Sequence, residues 1–307
     1  MDYILQVLTL AGSSLMVVLG LGLLTGFTGL FSFGHAGFMC IGAYTSAILT
    51  VTLKVPFVIA LLCSGLAAGL VSLLLGRLTL KLKGDYFLIA TLGFGESVRL
   101  IFDNIEPLGG ARGFSAIEKN STFVTVWIVC IVGIFLMTRL INSRYGRNFK
   151  AIREEELASA TIGIDVFRTK LLALFVSAVY AGVGGSLYAH YMTFIKPANF
   201  NLLKSTELTI MTIIGGLGSI SGSVIGTVLL TLLPEFLRFI FDWRMVIYGA
   251  AVVILIIVRP KGIAGGKEFK DFFFVAPLTR LVKRTLAKRK VSKAALVDEE
   301  SGKGGQA

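Results

Sequence analysis

The sequence predicts an all-α, polytopic bundle of membrane-spanning helices with Gly-broken segments, and three observations carry that prediction. Of 307 residues, 55% are hydrophobic and only 16% are charged, with a mean hydropathy of +0.81, whereas charged residues approach a quarter of an ordinary soluble domain. The apolar residues run in blocks long enough to cross a bilayer, so this length allows roughly eight to ten crossings and leaves little for a soluble domain. Thirty-five Gly against six Pro, set inside those blocks, point to closely packed helices with local breaks rather than to linkers.

Apolar runs cover residues 3–24, 35–53, 55–75, 86–102, 123–141 and 171–191, and each reads as one span. No Lys or Arg precedes the first run, which is longer than a secretory h-region, so it is expected to stay as a membrane helix. After Glu207 the pattern is broken: 208–214, the Gly-rich stretch 215–222, then 224–240 and 245–258. Charge decides how these cross. The segment 139–170 holds Arg144, Arg147, Lys150, Arg153 and Arg168, and the stretch from Arg259 onward holds twelve Lys/Arg against five Asp/Glu. Both are expected on the cytoplasmic side. An even number of crossings must lie between them, which makes 215–222 a cytoplasmic-side turn, the N-terminus external and the total nine. The expected organisation is a transmembrane domain over 1–265, with a cytoplasmic loop at about 142–170, and a basic cytoplasmic tail over 266–307.

The net charge of +12 sits beside and beyond the apolar runs, the pattern of loops facing anionic lipid rather than of a nucleic-acid surface. Cys40, Cys63 and Cys130 fall inside apolar runs without paired spacing and read as small buried hydrophobes. The chain has no phosphate-binding Gly-x-x-x-x-Gly-Lys-[Ser/Thr] loop, and Gly266-Lys267-Glu268 lacks its first Gly and final hydroxyl. With no HExxH, no Gly-x-Ser-x-Gly and no Cys/His metal spacing, it is expected neither to hydrolyse ATP nor to act as an enzyme.

Four polar features stand out against this background. The stretch from Gly29 to Tyr44 interrupts an apolar run with several glycines and His35. Backbone freed from helix at membrane depth survives against protein or a water-filled cavity. Ser32, Gly34, His35 and Gly37 are therefore candidates for a translocation path, with tight helix crossing as the competing reading. Gly29-Leu30-Phe31-Ser32-Phe33 also echoes Gly216-Leu217-Gly218-Ser219-Ile220, which adds Gly215, Gly216 and Gly218 as candidates from a second, corresponding break. Glu96 lies near the middle of its span and three residues from Arg99, on one helix face; it is a path candidate or one half of a structural pair. Finally, Phe149, Ile152, Leu157, Ala160 and Ile164 fall on one stripe of a short surface helix that ends at Gly163. The three glutamates Glu154 to Glu156 sit poorly against anionic headgroups, which favours docking onto a protein.

These stretches resemble the permease subunits of branched-chain amino-acid ABC importers, the M-type subunit in particular. The resemblance rests on Gly29 to Tyr44, Gly84 to Leu100, Gly146 to Ile164, Lys170 to Tyr191, Glu207 to Gly226 with Leu233-Pro234-Glu235, and the closing Arg259-Pro260-Lys261-Gly262. It implies a heterodimer with a second permease subunit in a bacterial or archaeal inner membrane. Two cytoplasmic ATPase subunits that bind the ATP and an external solute-binding protein would complete it, and the permease itself would carry no cofactor. It also implies that Glu156-Leu157-Ala158 followed by Gly163 is a degenerate Glu-Ala-Ala...Gly coupling loop, making Arg153, Glu154, Glu155, Glu156, Leu157, Ala158 and Gly163 the expected ATPase-coupling residues. Leu157 replaces the middle Ala, and four residues rather than three precede the Gly.

Three other readings stay open at this point. One is an ABC permease for urea, short amides or sugars. A second is an ion-coupled secondary transporter, which would need intramembrane carboxylates for coupling. A third is a channel built on the Gly-rich breaks.

Overall fold

The computed structural model describes residues 2–82, 84–236, 244–259 and 262–263. The basic tail, Lys83, and Pro260-Lys261 of the closing motif lie outside the described residues. The elements run α1 (Asp2–Leu21), extended through Gly22–Phe27 in a wider π-type coil, α2 (His35–Val51), α3 (Phe57–Thr79), α4 (Asp85–Asn104), α5 (Phe123–Ile141), α6 (Arg144–Glu154), α7 (Glu156–Thr161), α8 (Val166–Met192), α9 (Leu202–Gly215), α10 (Ile220–Phe236) and α11 (Arg244–Val258). Among the described residues the extended structure is one antiparallel bridge between Phe114 and Ile195. Four helices, α1 with its extension, α3, α5 and α8, are long and apolar enough to cross a bilayer unaided. The 20-residue α4 carries Glu96, Arg99 and Asp103.

Helix α8 is the central post, and α1, α2 and α3 pack along it. Lipid supplies no hydrophobic drive between helices, so close approach and dispersion must hold them. Gly42 of α2 meets Gly182 of α8, and Gly185 meets the Met39 carbonyl, so closely that a Cβ on Gly42 or Gly185 would overlap backbone. The packing pairs also fix direction. Gly20 lies on Ser177, whereas Gly184 lies on Ser13 and Val17, so α1 is antiparallel to α8. Helix α3 is antiparallel as well, with Gly65 on Val179 and Gly76 on Leu171. Helix α2 is parallel to α8: His35 bonds to Ser177, and Ser46 to Ser186 and His190.

Two helices start inside the bundle. Ser177 is roughly 16 Å along α8, so α2, which begins beside it, begins part-way through the depth. Helix α9 begins where Leu202 N–H meets Glu96, roughly 17 Å along α4. The two starts touch, because the Ala36 N–H donates to Ser205 Oγ at 3.2 Å. From there α2 leaves toward the end remote from α6, and α9 toward the α6 end. Thus α1, a return into the bundle and α2 are matched by α8, a return and α9 run in the opposite sense, the form an inverted repeat takes.

This alters two expectations. The runs 35–53 and 208–214 are not equivalent full spans, because α2 and α9 cover only part of the depth. The similar pentapeptides do not correspond either. Gly29–Phe33 lies in the first return, while Gly216–Ile220 forms the tight turn between α9 and α10; the topological partner of the first return is 193–201. Outer faces are apolar where lipid would touch them. Helix α3 exposes Val58, Leu62, Leu66, Leu70, Leu74 and Leu78, one residue in four, and α5 exposes Ile128, Ile131, Phe135 and Leu136. Cys40 and Cys130 are buried and Cys63 half-buried, all as free thiols.

Candidate functional site

The segment between α5 and α8 is built as two helices, not one. Ser143 caps α6, its Oγ accepting the Tyr145 N–H at 3.2 Å. The apolar side chains Phe149 and Ile152 are buried against the bundle. Glu155 then adopts an extended conformation (φ −156°, ψ 113°) and separates α6 from α7. That break rotates the predicted stripe. Phe149 and Ile152 face inward, but Leu157 is 77% exposed and Ala160 is exposed too, while Ser159 takes the buried place. The sequence could not reveal the break, since Glu154-Glu155-Glu156 is compatible with continuous helix.

The outer surface of this arm consists of Glu154, Glu155, Glu156, Leu157, Ala158 and Ile162. Glu156 is tied back to the first turns of α8 by Lys170, 2.5 Å away. Asp165 caps α8 through the Arg168 N–H at 2.9 Å. Gly163 closes α7 with φ +86° and open space around it, so its glycine requirement is conformational.

Arg153, the last but one residue of α6, points the other way. Its Nη1 donates to the Gly26 carbonyl in the π-type end of α1, and a Cβ on Gly218 would stand 2.7 Å from the same nitrogen. Gly218 sits at φ +83° in the α9–α10 turn. The turn is enclosed further: Gly215 lies against Gly222, and Gly216 against Gly262, where Ile263 N–H donates to the Ile214 carbonyl at 2.9 Å. Gly262 and Ile263, after α11, therefore lie against this turn.

The remaining path candidates lie apart from this node, around the starts of α2 and α9. Ser32 is buried, and its Oγ accepts the Gly34 N–H at 3.2 Å; Thr91 Oγ1 accepts the Phe33 N–H at 3.3 Å. Gly34 packs on the Thr91 carbonyl and Gly37 on Gly95, both of α4. Protein therefore satisfies the Phe33 and Gly34 N–H groups and packs on Gly34 and Gly37, while Gly29 and Phe31 of the same return are exposed. Ser177 Oγ donates to the Gly20 carbonyl at 2.7 Å, so at 2.6 Å it must accept from His35 Nε2. That assigns the proton on His35 to Nε2, and His35 Nδ1 has no partner among the described residues.

Glu96 occupies the seam between α4 and α9. One oxygen accepts the Leu202 N–H at 3.0 Å, and the other lies 2.8 Å from Arg99 Nε. Arg99 also approaches Asp103, at 3.7 Å. These side chains are about a quarter exposed, unlike the purely apolar outer faces of α3 and α5. Glu207, which residue order places at an interface with water or a docked partner, pairs with Lys204 at 3.0 Å near the start of α9; Lys204 is the member that sequence reasoning missed, and its i, i+3 spacing to Glu207 was the available signal. No His/Cys/Asp/Glu group among the described residues has metal-ligand geometry.

Comparison with known proteins follows from this geometry. The family described as branched-chain amino acid transport system / permease component matches residues 3–258. The high-affinity branched-chain amino acid transport system permease protein LivM of Escherichia coli is 32% identical over 284 residues, covering 80% of this chain and 67% of that protein. A probable branched-chain amino acid transport permease protein LivH of Methanocaldococcus jannaschii is 26% identical, covering 82% of this chain and 89% of that one. The LivH permease of Escherichia coli is 24% identical, covering 85% and 94%. No solved structure matches. The described residues form eleven helices, and the family match covers most of the chain, so the chain is a multi-pass membrane protein that belongs to the branched-chain amino acid transport-system permease family, a transport component and not an enzyme family.

Proposed function

We propose that this chain is one of two different permease subunits in an ATP-driven importer of branched-chain or other small amino acids, placed in a bacterial or archaeal inner membrane. Two cytoplasmic ATPase subunits bind the nucleotide and supply the energy, and an external binding protein delivers the solute. The observation that carries this reading is the arm. Helix α6 is anchored to the bundle by Phe149 and Ile152, while α7 turns Leu157, Ile162 and three glutamates outward. An exposed apolar pair rimmed by charge is a docking surface for protein, and the basic residues around it favour the cytoplasmic side. In this reading Glu154, Glu155, Glu156, Leu157, Ala158 and Gly163 form the face that meets the ATPase, and Arg153 marks the inner end of the same arm.

The solute path runs along the α4–α9 seam. Partly exposed ionised groups at mid-depth do not face lipid; they line a water-filled passage or a neighbouring subunit. Glu96 and Arg99 lie on this side. Glu96 is occupied by Arg99 and by the start of α9, which speaks against a proton-coupled carrier and for a passive wall moved from outside. Ser32, Gly34, His35, Gly37, Gly215, Gly216 and Gly218 then act as the packed joints of the moving helices.

The test is reconstitution in proteoliposomes with the co-purifying ATPases, sister permease and binding protein. Uptake of labelled leucine, isoleucine or valine is expected to require ATP and the binding protein. Uptake by the permease alone, or uptake that collapses with the proton gradient, would overturn the proposal; uptake of urea or an amide in place of amino acids would move the solute assignment only.

A further inference from the structure

Arg153 has a part that its position in the arm does not suggest. Although Arg153 is exposed overall, its side chain lies along three glycines of the bundle. Gly29 flanks the stem, its Cβ position 3.7 Å from Arg153 Cγ. Gly26 accepts from the guanidinium. Gly218 lies against the head, where any side chain would stand 2.7 Å from Nη1. Gly26 and Gly218 also touch each other closely enough that a Cβ on Gly26 would overlap the Gly218 backbone.

These glycines come from opposite halves of the fold. Gly26 ends α1, in the half that contains the first return. Gly218 turns α9 into α10, in the inverted half, and Gly262 after α11 stacks on its neighbour Gly216. Lys150, one turn earlier on α6, reaches the same place, with its Nζ 5.7 Å from the Phe27 ring centroid. The carbonyls at such turns are not all spent on helix bonds, so a guanidinium, which only donates, can hold them. Arginine suits the position because its flat, always charged head packs against backbone where a tetrahedral group would not.

We infer that Arg153 is an internal latch: it clamps the α1 end to the α9–α10 turn, so that a displacement of the arm moves both halves of the permease together, and it is not a contact to the ATPase. This rests on the reading of α6 and α7 as the driven arm. Mechanically, the ATPase would press on α7, and the load would pass through α6 to a single point shared by both inverted halves. The moving elements would thereby keep one register instead of sliding separately.

The decisive comparison uses the full complex in proteoliposomes carrying Arg153→Ala, Gly218→Ala or Leu157→Ala. For Arg153→Ala the ATPases should co-purify as in the parent complex and ATP hydrolysis should continue, while solute moved per ATP falls about tenfold or more, the scale of losing one hydrogen bond to a charged group. Gly218→Ala should give the same uncoupled phenotype by displacing the guanidinium, and Leu157→Ala should instead weaken ATPase retention. Loss of the ATPases from Arg153→Ala would make it a subunit contact and overturn the latch. An unchanged transport-to-hydrolysis ratio in both Arg153→Ala and Gly218→Ala would overturn it too. If Leu157→Ala and Gly163→Val also left transport unchanged, the arm reading itself would fall. A readout without substitution covers poor assembly of either variant: in the parent complex, hydrogen exchange at 26–30 and 215–219 should change together between nucleotide states. A change in one segment alone would overturn the latch.

Discussion

Glu96 of α4 accepts the backbone N–H of Leu202, the first residue of α9, at 3.0 Å, while its second oxygen holds Arg99. One carboxylate thus starts a helix inside the bundle and neutralises a cation on its own helix. A short helix beginning in apolar surroundings leaves N–H groups that must find acceptors. An anion at that end also meets the positive pole of the helix.

Removing this carboxylate should loosen the start of α9. Glu96→Ala is expected to lower stability by about 0.5–1.5 kcal/mol, the usual net worth of one intramolecular hydrogen bond at a partly exposed site. Glu96→Gln keeps an acceptor for Leu202 and should lose less, with ATP-driven uptake retained. Thermal unfolding of the detergent-solubilised chain checks the order; equal losses, or none, would remove Glu96 from this role.

The exposed face of α4 next to Glu96 should be wet in the assembled transporter. Ser97 is exposed on α4, and Leu70 is 64% exposed on α3. A charged, membrane-impermeant thiol reagent should therefore modify Ser97→Cys and leave Leu70→Cys untouched, once the native cysteines are replaced. The reverse pattern would place the solute path on α3.

Gly163 separates strain from crowding. Space around it is open, yet its φ is +86°. Gly163→Asn should keep most transport because Asn tolerates the left-handed region, whereas Gly163→Val should cost about 1–2 kcal/mol locally and disturb the arm. Similar transport by both variants would show that the loop reforms without a left-handed residue.

The helix crossing at Gly185 is the opposite case. Its Cβ position falls on the Met39 carbonyl, with no flexible side chain to give way. Gly185→Ala should force α2 and α8 apart and cut the yield of folded chain sharply, since overpacking of this kind costs about 1–3 kcal/mol or more. A size-exclusion profile of the purified variant in detergent reads the result, and a parental profile with parental Tm would refute the close crossing.

Much of this architecture could be read from residue order. The apolar runs located the helices of the bundle because the need to bury or immerse them is written in composition. The arm was visible for the opposite reason, being the longest charged interval between spans. What residue order hid was depth. Nothing in His35–Val51 or Leu202–Gly215 says that these helices start at Ser177 and Glu96, since that depends on partners more than a hundred residues away in sequence. Nor did the repeated Gly-Leu pentapeptide help: glycine is selected by local contact, so similar glycine patterns arise at places that are not equivalent. The break at Glu155 escaped for a third reason, that glutamate is a good helix former and the signal for ending α6 is tertiary.

The leucine ladder on α3 bears on how the protein sits. Its exposed rungs run from Val58 to Leu78, about 30 Å of helix, which equals the thickness of a bilayer's oil layer. Sliding the chain up or down by one rung would drag Lys54 into hydrocarbon, or carry Arg77 from the inner margin deeper into it, or lift leucine into water. This row therefore fixes immersion to within a helical turn, and with it the height at which the charged arm of α6 and α7 emerges.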